Sequence, residues 1–322
     1  MNATPARLVL HADDLGMNRA VNEGILRGFR FGLLTSTSLL ANAPDVDFAL
    51  GQWKTLAEER ASGELPSAAA RRRLDDPDGP FDLGVHLNLT QGRPLTGVYP
   101  AELLDKRGRF PGVFKLFARL LRSRGRYETA IRAELERQVQ VVCDHGLRPT
   151  HVNGHQYLEM IPAVRNVLPD LMEKFGIRVV RVAREPSLLR STVLRGQPSR
   201  WPMAQVKRAF AGRFCTRIDA LGLAHPDAFF GTAHAGNIDL PLLRLWLGSC
   251  CRRQVPAVRE PTMIEVGLHP AEVAEPTRPK DWIDGWHDPL ADRRPAELQM
   301  LVSAELSDML AEFGWRLGRL AP

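Results

Sequence analysis

Short apolar runs alternate with amphipathic stretches of helical length along this chain, and that alternation limits the fold more than any other feature. Strand-like runs fall at residues 7–11, 35–40, 82–89, 149–152, 177–182, 263–267 and 315–317. Helical patterns cover 18–31, 45–59, 113–122, 127–145, 161–175, 240–250 and 297–313. Strands separated by helices argue for an α/β fold with a mainly parallel sheet, open or closed into a barrel. Local signals agree with this reading. Pro162 falls in the first turn of its helix, where its absent N–H is not needed. His145 precedes Gly146 at a helix C-terminus, where the dipole favours a basic side chain. Residues 62–80 are polar and rich in Pro, Ala and Arg, as a surface loop is. Residues 185–222 read as an excursion from the core with a helical stretch at 203–214. The expected organisation is one domain over residues 1–322 with an insertion at about 185–222.

Composition narrows the class. Hydrophobic residues make up 44% and charged residues 25%, which suits a globular protein with a large core. No apolar run approaches the roughly 18 residues of a membrane span, and no basic-then-apolar leader opens the chain, so a cytoplasmic location is expected. Cys143, Cys215, Cys250 and Cys251 show no C-x-x-C spacing. Free thiols are therefore expected, without a zinc–thiolate site. The net charge is +6, with arginines clustered at 71–73, at 119, 122, 124 and 126, and at 252–253. No nucleic-acid motif accompanies them, so they read as a solvated face and no nucleic-acid partner is expected.

The chemistry sits at strand ends. The first strand runs into Asp13 and Asp14, then Gly16. Two acids at the end of an apolar strand are costly to leave unpaired. Residues just past a strand can turn both toward one pocket, where a cation would hold one ionised while the other exchanges protons. The alternative is a plain surface turn. Three more apolar strands carry polar, histidine-bearing tips: LGVHLNL with His86 and Asn88, THVNGHQ with His151 and His155, and IEVGLHP with His269. In parallel α/β folds ligands collect at the C-terminal ends of strands, so four such tips can converge there. Each histidine taken singly also fits a satisfied, half-buried side chain. Asp14 with His86 and His155 would make a two-histidine, one-carboxylate set suited to zinc and other divalent first-row metals.

The four segments HADDLG, GVHLNLT, HVNGHQ and EVGLHPA, in that order, resemble the YdjC-like carbohydrate deacetylase family. That family includes chitooligosaccharide deacetylases and a hopanoid-biosynthesis-associated branch. TSTSLLANAP at 35–44 resembles it too, and the likeness runs from about residue 7 to about residue 317. The resemblance implies a distorted (β/α) barrel-like α/β fold akin to the polysaccharide deacetylases. It implies metal-dependent removal of an N-acetyl group from an amino sugar, with magnesium or zinc as the divalent ion. It also implies Asp13 as general base, Asp14, His86 and His155 as metal ligands, and His269 as an acid or oxyanion-stabilising group. Many relatives read HLDSHxHxH where this chain has HVNGHQYLE, so Asn153, Tyr157 and Glu159 replace an Asp and two His. Those changes bear on metal preference and substrate more than on reaction class. The RVAREP stretch at 181–186 resembles the hopanoid-associated branch.

The expected partner is an N-acetylated sugar or glycolipid, with no membrane span but with peripheral membrane contact compatible. Within 185–222, Leu188, Leu189, Val193, Leu194, Trp201, Met203, Val206 and Phe210 are more apolar than a solvated loop requires. They either line a lipid-binding wall or pack on the barrel's own helices. Two other readings stand beside the hydrolase. Two histidines and a carboxylate also serve non-haem iron oxygenases, though these need no carboxylate base beside the ligand. A non-catalytic carbohydrate-binding protein on the same fold is the other.

Overall fold

The computed structural model describes residues 7–65, 81–123, 125–186, 191, 193, 195–196, 201–251, 263–273 and 285–320. Its central strand is β1 (Arg7–Leu15), buried along almost its whole length. β2 (Ser36–Leu39) pairs with one edge of β1, and β7 (Met263–Leu268) with the other. From β2 the sheet continues through β3 (Asp82–Leu87), β4 (His151–Gly154) and β5 (Val179–Val180). From β7 it continues to β6 (Ala228–Phe230), and the short β8 (Arg316–Leu317) adds to the start of β1. Every pairing is parallel. The sheet curls until its edges meet at a sparse seam. There Val180 N donates to Ala224 O (3.0 Å), Ala224 N to Arg178 O (3.0 Å) and Phe229 N to Arg184 O (3.2 Å). The result is a distorted barrel.

Helices occupy the connections. They are α1 (Arg19–Arg30), α2 (Val46–Ala61), α3 (Val113–Ser123), α4 (Glu128–Asp144), α5 (Pro162–Phe175) and α6 (Trp201–Ala220). After them come α7 (Leu240–Cys251), α8 (Arg294–Val302) and α9 (Ala304–Glu312). Among the described residues no helix is long and apolar enough to cross a membrane.

Strand alternation sorts the side chains into two cores. Leu8, Leu10 and Ala12 of β1, Val85 and Leu87 of β3, Val152 of β4 and Ile264, Val266 and Leu268 of β7 face the main apolar core. The opposite phase faces the barrel interior in layers. Val9, Val179, Met263 and Leu320 form a small apolar plug. Above it lie His11, His151, Glu265 and Arg181, all essentially inaccessible. Gly84 belongs to this layer, because a Cβ there would collide with the His151 ring. Asp13, His86 and Asn153 come next. Barrel interiors are commonly filled by apolar layers; this one is filled by charge and imidazole.

Several elements differ from the sequence reading. The first strand does not stop at residue 11 but continues to Leu15, so both aspartates lie within it. The fourth begins at His151, two residues later than expected, which sets His151 and Asn153 on the strand itself. β6, only three residues long, carries too short a pattern to be anticipated. The helix expected at 297–313 is two helices. Ser303 is extended there (φ −75°, ψ 148°), and its hydroxyl accepts from Leu306 N at 3.3 Å, capping the second one. The helix expected at 203–214 covers Trp201–Ala220. Most of the 62–80 loop, the arginine clusters at 71–73 and 252–253, and the side chains of Leu188, Leu189, Leu194, Trp201 and Met203 lie outside the described residues.

Candidate active site

Asp13 and Asp14 are adjacent on one strand, so alternation alone would point them to opposite faces. Asp13 keeps the inward phase of Val9 and His11. Asp14 is turned by its own backbone: its φ is +73°, and the β1–β2 register shifts between Ala12 and Leu15. A left-handed non-glycine residue costs about 1–2 kcal/mol, and such strain concentrates at functional sites. Gln156 and Tyr157, just after His155, share it with φ of +56° and +62°.

The turn brings Asp14 Oδ1 to 3.5 Å from His86 Nε2 and 4.0 Å from His155 Nε2. The other nitrogen of each ring is already engaged. His86 Nδ1 donates to Asn153 Oδ1 at 2.9 Å, since the Asn153 amide nitrogen donates in turn to Asp13 Oδ1 at 2.9 Å. His155 Nδ1 donates to Thr90 Oγ1 at 2.8 Å, while the Thr90 hydroxyl donates to Asn88 Oδ1. With Nδ1 engaged, each ring turns its Nε2 toward Asp14. Asp14 Oδ1 is buried and has no hydrogen bond. Two imidazoles turned toward one open carboxylate oxygen are a donor set that suits a divalent cation.

Two buried arginines hold the acids ionised. Arg181 Nη1 donates to Asp13 Oδ2 (2.7 Å), its Nε to Glu265 Oε1 (2.7 Å) and its Nη2 to His11 Nδ1 (2.9 Å). Burial pushes the Asp13 carboxyl up, but the Arg181 charge together with the neighbouring His86 and His11 holds the group well below its usual range. Arg294 Nη2 donates to Asp14 Oδ2 at 2.7 Å and its Nε to Asp288 Oδ2 at 2.8 Å. Burial raises Asp14 too, and Arg294 with the neighbouring histidines brings it far down. Arg294 thus occupies one oxygen of Asp14 and leaves the other open. Burial carries His155 down to about 4 and lowers His11 and His151 as well, which favours their neutral forms. Thr150 fixes a proton order below the site. Its hydroxyl donates to Leu83 O and accepts from His151 Nδ1, so His11 Nε2 donates to His151 Nε2 at 2.8 Å.

His269 ends β7 across from Asp13, with its Nε2 3.9 Å from Asp13 Oδ2. Its backbone N–H donates to Glu297 Oε2 at 2.6 Å. All five residues singled out in the sequence, Asp13, Asp14, His86, His155 and His269, line one cavity of about 610 Å³. Its floor is polar and its walls are apolar. Val113, Phe114 and Phe117 come from α3, Val206 and Phe210 from α6, and Met160 from the turn after β4. Phe117 and Phe210 meet edge to face, with ring centroids 5.8 Å apart. On α6 the apolar residues divide between two surroundings. Ala211, Phe214, Cys215 and Ile218 are buried, while Val206 and Phe210 face the cavity.

The replacements at Tyr157 and Glu159 also resolve. Tyr157 lines the cavity. Glu159 is buried with neither oxygen hydrogen-bonded, and burial pushes its carboxyl up to about 8. A raised carboxyl contributes stability below its ordinary value of 4.5 and loses it as pH rises through about 8. Over that range the Glu159→Gln protein is expected to gain on the parent by about 3–5 kcal/mol. Denaturant midpoints across pH check this, and a constant difference would reject it.

Arg181, Arg294, Asn153 and Thr90 are site residues that motif reasoning did not single out as such. Arg181 had a usable signal, since a lone arginine closing a β-branched strand must find an anion. Arg294 follows a Pro- and Asp-rich loop and had none.

Comparison with known proteins bears on the whole chain. The family model described as YdjC-like protein matches residues 7–312. A Geobacillus stearothermophilus protein named carbohydrate deacetylase is 31% identical over 278 residues, 84% of this chain and 94% of its own. A Proteus mirabilis protein named chitooligosaccharide deacetylase is 23% identical over 312 residues, 97% of this chain and 96% of its own. Among solved structures, a provisionally named cellobiose-phosphate cleavage protein of Enterococcus faecalis superposes with a TM-score of 0.68 at 19% identity, covering 98% of each chain. That likeness speaks to the fold alone. With the family model spanning nearly every residue from β1 to α9, the chain belongs to the YdjC-like family.

Proposed function

We propose that this protein is a metal-dependent amide hydrolase that removes the acetyl group from an N-acetylated amino sugar carried on an apolar conjugate. One observation carries the reaction class. An unpartnered carboxylate oxygen, Asp14 Oδ1, faces two oriented imidazole nitrogens, and beside it stands a second carboxylate, Asp13, held ionised. The relatives named carbohydrate deacetylase and chitooligosaccharide deacetylase support the sugar substrate.

Asp14, His86 and His155 would hold the ion, of the magnesium or zinc class. Once bound, a divalent cation supplies Lewis acidity that polarises the acetyl carbonyl and acidifies a water. Asp13 accepts the proton of the attacking water, its position fixed by Arg181 and Asn153. His269, across from Asp13, delivers a proton to the departing amine. The products are acetate and a free amine.

The apolar walls support the conjugate. Gln91, Gln156, Tyr157 and Thr232 can meet the sugar's hydroxyls, while α3 and α6 offer Phe and Val side chains to an apolar group. Phe114 and Val206 are 73% and 50% exposed, so their replacement leaves the core intact. Phe114→Ser is expected to raise KM about tenfold for an alkyl-linked N-acetyl sugar, the loss of roughly one buried aromatic contact. It should leave KM for the free sugar unchanged. Equal effects on both substrates would remove the apolar conjugate from the reading.

The test of the whole reading is acetate release from a panel of N-acetylated sugars and glycolipids by protein stripped of metal and reloaded with zinc, magnesium or cobalt. No acetate from any substrate with any metal would reject it. Removing a ligand should cost more than the ~10–100-fold in metal affinity that loss of an outer supporting contact costs. His155→Ala is therefore expected to lose both stoichiometric metal and turnover, as seen by metal analysis of the dialysed protein.

A further inference from the structure

A second cluster of donors lies away from the cavity floor, where the far end of α6 meets the approach to β6. Cys215 and Asp219 sit one turn apart on α6, and His225 follows six residues later. Cys215 Sγ is 3.5 Å from Asp219 Oδ2 and 3.7 Å from His225 Nε2, and His225 Nε2 is 2.9 Å from Asp219 Oδ1. Tetrahedral zinc, with bonds of about 2.3 Å to sulfur and 2.0–2.1 Å to nitrogen and oxygen, sets its sulfur about 3.5 Å from the other two donors and those two about 3.3 Å apart. The sulfur-to-donor distances are close to these values, with one Asp219 oxygen facing Cys215 and the other facing His225. His225 Nδ1 donates to Pro226 O at 2.8 Å, which aims Nε2 at the cluster, as the outer contact of a metal-bound histidine does.

With Nδ1 engaged at Pro226 O, the His225 ring turns Nε2 toward Asp219 Oδ1 and Cys215 Sγ, and one ligand atom from each of the three residues lies within 4.8 Å of the others. We infer that Cys215, Asp219 and His225 form a second, soft-metal site for a zinc-class ion, with its fourth position open to water through the exposed Asp219. Binding releases the thiol proton, and the thiolate selects zinc or cobalt over magnesium.

The site's place in the fold gives it a task. The same helix carries Val206 and Phe210 to the cavity wall, and Ala224, next to His225, bonds to Val180 at the seam. An ion here pins the wall helix to the seam. Sequence spacing hides the site, because its ligands follow helical rather than C-x-x-C spacing.

Cobalt distinguishes it from the Asp14 site, which has no sulfur. The metal-stripped chain titrated with cobalt should take up two ions and develop a thiolate-to-cobalt charge-transfer band in the near ultraviolet, and zinc should displace it. Cys215→Ser should take up one ion without the band, whereas His155→Ala should keep the band. Zinc should raise the melting temperature of the parent more than that of Cys215→Ser. Absence of the band from the parent, or its persistence in Cys215→Ser, overturns the assignment. Asp219→Asn, at an exposed position, should keep the parent's circular dichroism and bind cobalt at least ~10-fold more weakly at the band-forming site. Unchanged affinity there overturns the assignment as well, leaving a protonated His225–Asp219 pair.

Discussion

Asp13→Asn protein is expected to keep its metal and turn over about 10²–10⁴-fold more slowly, the usual worth of a positioned general base. Asparagine keeps the shape of the side chain and removes the proton acceptor. Asp14, His86 and His155 remain, so metal content should match the parent. The substitution has a structural cost as well. Asp13 Oδ2 accepts from Arg181 at 2.7 Å and Oδ1 from Asn153 at 2.9 Å, so the new NH₂ meets a donor whichever way it points. Losing one such bond to a charged group costs about 1.5–3 kcal/mol. Arg181 keeps Glu265 as its anion, which should preserve the fold. Metal analysis, circular dichroism and kcat on one preparation separate the two effects. A near-parental rate in folded, metal-loaded protein would reject the base role.

Arg181→Met carries the largest stability effect. Asp13 and Glu265 are both buried, and Arg181 is the cation that touches both. Breaking a buried pair by removing one partner costs about 3–5 kcal/mol, because the remaining charge has no counter-ion. The effect has a definite pH signature. In the parent, Asp13 is depressed, so its contribution is present above the ordinary 3.8 and is lost as pH falls through the folded value. In the variant, burial without Arg181 raises the Asp13 carboxyl, so the penalty grows as pH rises and fades toward acid. Denaturation midpoints of the two proteins should therefore converge on acidification, and parallel curves would reject the account. The acid limb of the activity profile should also move to higher pH in the variant. Should the variant fail to fold, Arg181→Lys keeps the charge while losing the fork that serves Asp13, Glu265 and His11 together.

The alternation of strands and helices made the parallel α/β sheet legible, because a 2-residue period and a 3.6-residue period differ within a few residues. β5 and β8 fall inside the expected runs at 177–182 and 315–317, whereas β6, three residues long, carries no period, and its position comes from the sheet it joins. The convergence of Asp13, Asp14, His86, His155 and His269 could be anticipated because each is the polar end of an apolar strand. What the chain did not disclose is the support beneath them. Arg181 and Arg294 reach the acids from 168 and 280 residues away, and no local pattern marks such a partner. Asn153 looked like a departure in the motif. In the structure its amide links His86 to Asp13, a task its two-ended side chain performs and a carboxylate would not, since a second acid would face Asp13.

The cavity draws its two halves from different stretches of chain. Its floor comes from β1, β3, the start of the turn after β4, and β7, in the strongly paired centre of the sheet. Its walls come from α3 and α6, which lie in the β3–β4 and β5–β6 connections. Insertions and substitutions in such connections leave strand register untouched. The residues proposed for chemistry and those proposed for recognition thus sit on different elements. A descendant could acquire a new substrate by rewriting two helices while copying the barrel unchanged, and the seam between β5 and β6 is where the larger exchange would cost least.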